Sequence, residues 1–134
     1  MEEWQPEIFN LSNGMRFVYL QTISPVAHLG VHVLAGSRLE DKNEEGLAHF
    51  LEHCIFKGTK KRKTFHVLSR LDSVGGELNA YTSKEEMVVY ASFVKNHTER
   101  AMELLADITL NANFPAKEIE KEKEIVLDEI NSYL

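Results

Sequence analysis

The sequence predicts a fold of the α+β class, with antiparallel strand pairs and amphipathic helices in one domain. Two observations favour antiparallel strands: apolar runs flank Ser12-Asn13-Gly14, and strand-like runs flank Ser83-Lys84-Glu85-Glu86. A third favours helices, because four segments repeat apolar residues three and four positions apart. Residues 1–134 are interpreted as a single domain, in which 43% hydrophobic residues suffice for a sizeable core.

Composition excludes several classes of partner. The net charge of −6 argues against nucleic acid, and Lys60-Lys61-Arg62-Lys63 is interpreted as a solvated loop. No apolar run reaches membrane-spanning length, so no membrane segment is predicted. The cysteine count and the N-terminus bear on the compartment instead. The single Cys54 excludes an internal disulfide and fits a reducing compartment. Because the acidic N-terminus resembles neither a secretory signal nor a transit peptide, we expect a cytoplasmic location.

The first half of the chain begins with strands. Ile8–Leu11 and Met15–Leu20 are predicted to form a hairpin, whose Asn13-Gly14 turn would place both residues at positive φ. The next strand, 26–34, alternates inward aliphatic residues with His28 and His32. These two histidines would lie about 13 Å apart along a strand, too far to share an ion, so a polar sheet face is predicted there.

The remaining elements follow in order. Asn43 is predicted to cap a helix that opens at Glu44 and ends near Lys57 and Gly58. A second helix begins at Thr64, with an inward stripe of Phe65, Leu68 and Leu71, and stops at Gly75-Gly76. Two strands follow, over 78–82 and 87–94. A third helix begins at Thr98 and is predicted to direct inward Ala101, Leu104, Leu105 and Ile108. A last helix covers 116–133.

The first helix carries the strongest functional pattern. At about 100° per residue, His49, Glu52 and His53 share one arc, and apolar residues fill the opposite arc. Histidines at i and i+4 lie about 6 Å apart and can bind one ion, and H-x-x-E-H is the inverse of the H-E-x-x-H zincin motif. The alternative is a buried helix with two hydrogen-bonded histidines.

The last helix offers a third ligand. Glu122 and Glu129 are seven positions apart, and both fall inside the apolar stripe of this helix. A carboxylate on a core face is costly unless it is paired or coordinates a metal. His49, His53 and one inward glutamate would make a His₂Glu zinc set with a position for water. The residues alone also allow both glutamates to pair with basic side chains.

Taken together, these motifs resemble the N-terminal catalytic part of peptidase family M16, the pitrilysin, insulinase and mitochondrial processing peptidase family. The fold this implies has helices packed on a mainly antiparallel sheet, as in a truncated N-terminal domain of that family. The matching segments are Leu11-Ser12-Asn13-Gly14, Ala35-Gly36-Ser37-Arg38, Gly46 to His53, Phe56-Lys57-Gly58-Thr59, Gly75 to Thr82 and Glu122 to Ile130.

The resemblance implies a zinc-dependent metalloendopeptidase that hydrolyses extended peptides through a metal-activated water. It implies that His49, His53 and Glu129 bind Zn²⁺ and that Glu52 is the catalytic base. Glu122 matches the family's supporting carboxylate, which orients a ligand or tunes its basicity.

The resemblance also implies a substrate strand at Asn79, Ala80 and Tyr81, to which a peptide adds as a β-strand. A packed structural hairpin is the alternative for these residues.

Family members are several times longer, and their distant half supplies Arg and Tyr side chains that contact substrate. We therefore interpret the chain as a fragment that needs a C-terminal half or a partner subunit. The incomplete sheet would expose an edge, which favours a homodimer. The alternative function is a non-catalytic M16-like subunit or peptide-binding module.

Overall fold

The computed structural model describes residues 5–133, which contain five strands, four α-helices and two short 3-10 helices. The α+β class predicted from the sequence is confirmed. The strands are β1 (Glu7–Asn10), β2 (Arg16–Tyr19), β3 (Val26–Val33), β4 (Glu77–Thr82) and β5 (Met87–Val94). The helices are α1 (Leu47–Cys54), α2 (Thr64–Asp72), α3 (Thr98–Leu110) and α4 (Ala116–Ser132).

All strand pairs in the described part of the chain are antiparallel. β5 lies at the centre of a three-stranded sheet with the order β3-β5-β4, and β1 and β2 form a separate hairpin. In the register of the sheet, Tyr90 of β5 faces Gly30 of β3 and Asn79 of β4. β3 and β4 are therefore the two edges of this sheet.

One face of the sheet carries the core. Helices α2 and α3 cover it, and the largest fully buried side chains are Phe93, Leu71, Leu104, Leu105, Ile108, Val67 and Val89. The predicted inward face of α3 is confirmed, because Ala101, Leu104, Leu105 and Ile108 are all buried. The opposite face of the sheet is polar, as predicted: His28 Nδ1 lies 2.8 Å from Ser92 Oγ, and His32 pairs with Glu86.

The first hairpin forms where the sequence predicts it, but its turn differs. Gly14 has φ +88°, whereas Asn13 does not adopt a positive φ. Asn13 instead accepts a hydrogen bond from the Met15 amide through its side-chain oxygen, at 3.1 Å. The turn therefore uses the asparagine as a side-chain acceptor, an ordinary role for this residue in loops.

The start of α1 also differs from the prediction. The helix begins at Leu47, after Gly46 at φ +91°, so Asn43 is not its cap. The Glu40 carboxylate accepts hydrogen bonds from the amides of Gly46 and Ala48, at 2.8 and 2.7 Å. Glu40 thereby satisfies amides at the helix start and places a negative charge at the positive end of the helix dipole.

The predictions for the end of α1 and for α2 are corrected in two places. α1 ends at Cys54, and Gly58 lies beyond it in an isolated β-bridge with Lys63 instead of closing the helix. In α2, Phe65 and Leu68 are 74% and 50% exposed, while Val67 and Leu71 enter the core. The spacing of the apolar residues allowed two neighbouring faces, and packing against the sheet selected the face with Val67.

The basic run is not wholly a solvated loop. Arg62 is largely buried and pairs with Asp107 and Glu103 of α3. Asp107 also accepts a hydrogen bond from Thr59 Oγ1 at 2.8 Å. This buried cluster ties the connection between α1 and α2 to α3.

Between residues 5 and 133, no helix is both long and apolar enough to cross a membrane.

Candidate metal centre

Helix α1 carries two histidines whose side chains contact each other. His49 and His53 are one turn apart, and their rings meet edge to face with centroids 4.7 Å apart. Their Nε2 atoms lie 3.2 Å from each other. Both rings thus direct the same nitrogen toward a shared position.

Helix α4 packs against α1 and adds a carboxylate to the pair. Glu129 Oε2 lies 3.8 Å from His49 Nε2 and 3.5 Å from His53 Nε2. Within the described residues these three side chains form a group that could hold a metal ion, with donor atoms all within 4.8 Å of one another. A tetrahedral zinc ion with bonds of about 2.1 Å places its ligand atoms about 3.4 Å apart. The three separations fit that requirement.

Glu122 lies behind this group and contacts His53 from the other side of the ring. Its Oε1 accepts a hydrogen bond from His53 Nδ1 at 3.0 Å. Because a carboxylate only accepts, this contact places the proton of a neutral His53 ring on Nδ1 and leaves a lone pair on Nε2. A histidine that binds a metal through Nε2 needs this tautomer.

Glu122 is buried, with 5% of its side chain exposed, and it is also paired with Lys57 Nζ at 2.7 Å. Burial alone would raise the pKa of Glu122, but hydrogen bonds from Lys57 and His53 outweigh it and lower that pKa. Glu122 therefore contacts a basic side chain, Lys57, and also a candidate metal ligand, His53.

Glu52 is half-buried on α1, one position before His53. In the part of the chain that the structure describes, it forms no ion pair with a basic side chain and no hydrogen bond. Its carboxylate is therefore not engaged by another side chain among these residues.

Asn79, Ala80 and Tyr81 lie on β4, at an edge of the sheet. The Ala80 side chain enters the core, while the Ala80 amide donates to Asn79 Oδ1 at 2.9 Å. Tyr81 is exposed on the outer face and donates from its hydroxyl to Glu86 Oε1 at 3.1 Å, which raises the pKa of Tyr81. β4 lies beside α1, since Thr82 Oγ1 is 3.5 Å from the Ala48 carbonyl oxygen.

Lys57 is the site residue that pattern reasoning placed wrongly. The sequence predicts Lys57 at the end of the first helix, just before Gly58, where a cation suits the helix dipole. It lies past the end of α1 and reaches α4 instead. Helical periodicity cannot reveal such a contact, because the partners are 65 positions apart and on different elements.

The three side chains are two histidines and one glutamate. The same combination binds the catalytic zinc of well-known metallopeptidases. The chain belongs to the insulinase family, peptidase family M16, whose family model matches residues 16–133.

Individual relatives agree with this membership. The chain is 41% identical over 131 residues to the mitochondrial-processing peptidase subunit beta of Dictyostelium discoideum, covering 97% of this chain and 28% of that protein. It is 40% identical over 129 residues to an uncharacterized zinc protease of Rickettsia bellii, covering 92% of this chain and 31% of that protein. The chain thus spans less than a third of the length of these two relatives.

Among solved structures, a protease from Helicobacter pylori superposes with a TM-score of 0.90 at 28% identity. That alignment covers 95% of this chain and 31% of the protease. The fold predicted from the resemblance, with helices packed on a mainly antiparallel sheet, is confirmed.

Proposed function

We propose that this chain is the zinc-binding catalytic part of a metalloendopeptidase that cleaves extended peptides. The observation that carries the proposal is the triangle formed by His49 Nε2, His53 Nε2 and Glu129 Oε2, with sides of 3.2, 3.5 and 3.8 Å. Three donors from two helices converge at the separation that one tetrahedral ion requires. The Rickettsia bellii relative is by name a zinc protease, which supports zinc as the ion.

His49, His53 and Glu129 would hold the ion, and Glu122 would orient His53. When bound, zinc lowers the pKa of a water to about 7 and polarises the scissile carbonyl. The Glu52 carboxylate accepts the proton of the attacking water and delivers it to the nitrogen of the leaving amine. A non-catalytic subunit has no chemical need for Glu52 beside a complete donor set, so the arrangement favours an enzyme.

The substrate would add to β4 as an extra strand along Asn79, Ala80 and Tyr81. Such pairing uses main-chain hydrogen bonds and requires an extended or unfolded peptide. β4 suits this role because it is an edge strand next to the metal helix.

Efficient peptide hydrolysis would need residues beyond this chain. The two relatives are each more than three times as long as the segment aligned with this chain, and one of them is by name a subunit of a processing peptidase. We propose that residues 1–134 act as an N-terminal catalytic domain, together with a C-terminal half or a partner subunit. A second copy of the chain at the sheet edge is the alternative partner.

Zinc stoichiometry of the purified chain tests the proposal. We expect one zinc per chain by elemental analysis, removed by a chelator and restored by added zinc. His49→Ala should lose the metal, whereas His66→Ala, on the exposed surface of α2, should retain it. A wild-type chain that remains metal-free after zinc is added would contradict the proposal.

A further inference from the structure

Lys57 occupies a fixed position between three helices. Its amide donates to the Cys54 carbonyl at 3.0 Å, and its own carbonyl accepts the Thr64 hydroxyl at 2.8 Å. These bonds attach its backbone to the end of α1 and the start of α2. From there its side chain reaches Glu122 on α4.

The Lys57–Glu122 pair is mostly shielded from water. Side-chain exposure is 23% for Lys57 and 5% for Glu122, and the Nζ–Oε2 distance is 2.7 Å. A buried carboxylate is costly unless both of its oxygens are satisfied. Oε1 accepts a hydrogen bond from His53 Nδ1, and Oε2 is paired with Lys57 Nζ, so each oxygen has a partner. Among the described residues, Lys57 is the one lysine or arginine paired with Glu122.

We propose that Lys57 is a positioning residue of the metal centre, which holds the Glu122 carboxylate against His53 Nδ1. The inference rests on the proposed zinc-binding function of His53. With Oε2 anchored to Lys57, the carboxylate plane is fixed and Oε1 remains directed at the imidazole. Partners of this kind set the tautomer and orientation of a ligating histidine and change metal affinity when removed.

Lys57→Met removes the ammonium and keeps a similar aliphatic length, and Lys123→Met is its matched control. The Lys123–Glu120 pair on α4 has the same 2.7 Å separation but is exposed, and in the described part of the chain neither residue forms a hydrogen bond or ion pair with His49 or His53. The first readout is the imidazole ¹⁵N spectrum of the metal-free chain. We expect His53 to be the Nδ1–H tautomer in the wild type and in Lys123→Met, and a mixture of tautomers in Lys57→Met.

The second readout is zinc affinity, measured by competition with a chromophoric chelator. Lys57→Met should bind zinc about tenfold more weakly, and Lys57→Arg should recover part of the loss. In a Glu122→Gln background, Lys57→Met should add little, because its effect passes through Glu122. Additive losses would overturn the inference, since they would show that Lys57 acts by another route.

The two proposals fail in different ways. A wild-type chain without zinc contradicts the proposed function, while the spectra of the metal-free chain still decide the role of Lys57. A Lys57→Met chain with the wild-type His53 spectrum overturns the positioning role even if zinc binds. If circular dichroism shows that Lys57→Met does not fold, Lys57→Gln, whose side chain is shorter and uncharged and so does not reproduce the ion pair, replaces it in both measurements.

Discussion

His53 donates its Nδ1 proton to Glu122 Oε1 at 3.0 Å, so a residue of α4 determines which ring nitrogen of an α1 histidine is free. The free nitrogen, Nε2, lies 3.2 Å from His49 Nε2 and 3.5 Å from Glu129 Oε2. Helix α4 therefore contributes a candidate ligand, Glu129, and also Glu122, the carboxylate that accepts the hydrogen bond from His53. The candidate metal centre depends on how α1 and α4 pack, and local sequence does not decide that packing.

Glu122→Gln should weaken zinc binding by about 10- to 100-fold, because loss of a carboxylate behind a ligating histidine lowers its basicity and frees its ring. Chelator competition measures the affinity. Glu120→Gln, at an exposed position of the same helix, is the control and should bind as the wild type does. Equal affinities for the two variants would show that Glu122 does not support His53.

Glu52→Gln should retain zinc and lose about 10²- to 10⁴-fold in peptide turnover, because it removes the proton acceptor but no metal donor. Zinc content and cleavage of a quenched fluorescent peptide check the two halves of this prediction, with the remainder of the enzyme present. Loss of zinc in this variant would assign Glu52 to the metal instead. Unchanged cleavage would exclude it as the base.

Asp107→Asn should destabilise the fold by about 3 kcal/mol, because it leaves the largely buried Arg62 without one of its two carboxylate partners. Urea unfolding measures the change in free energy. Asp72→Asn, at an exposed position of α2, should stay within about 0.5 kcal/mol of the wild type. Similar losses in both variants would contradict a special role for the buried cluster.

The contribution of Asp107 should also depend on pH. Burial raises the pKa of Asp107, but hydrogen bonds from Thr59 and Arg62 outweigh it, so the pKa in the folded protein lies below the ordinary value of 3.8. The stabilisation is therefore complete above pH 3.8 and is lost as pH falls through the lower folded-state pKa. Urea unfolding across this range should show the wild type and Asp107→Asn converging in acid, and a constant difference would refute the linkage.

Gly36→Ala should cost about 3 kcal/mol, because a Cβ there would lie 2.3 Å from the Ser83 carbonyl oxygen and 2.6 Å from the Glu86 amide nitrogen. Both are backbone atoms of the β4–β5 turn, which cannot move aside as a side chain can. Gly30→Ala is the control, since its nearest contact would be an ordinary 3.6 Å. Thermal unfolding should separate the two variants, and equal midpoints would show that the turn can shift.

The sequence by itself determined the element types, the antiparallel pairing around both hairpins and the inward face of α3. It also determined that His49, Glu52 and His53 share one helical face, because helix periodicity is a local property. The choice between Glu122 and Glu129 as ligand came from family resemblance, since both fall on one face of their own helix.

Tertiary structure decided everything that joins distant segments. It selected Glu40 over Asn43 at the start of α1, buried Val67 in place of Phe65, and gave Arg62 two acidic partners. It also directed Lys57 to Glu122, a contact across 65 positions. Periodicity constrains each element separately, whereas these contacts depend on how the elements pack, because a buried charge must find a partner wherever the fold provides one.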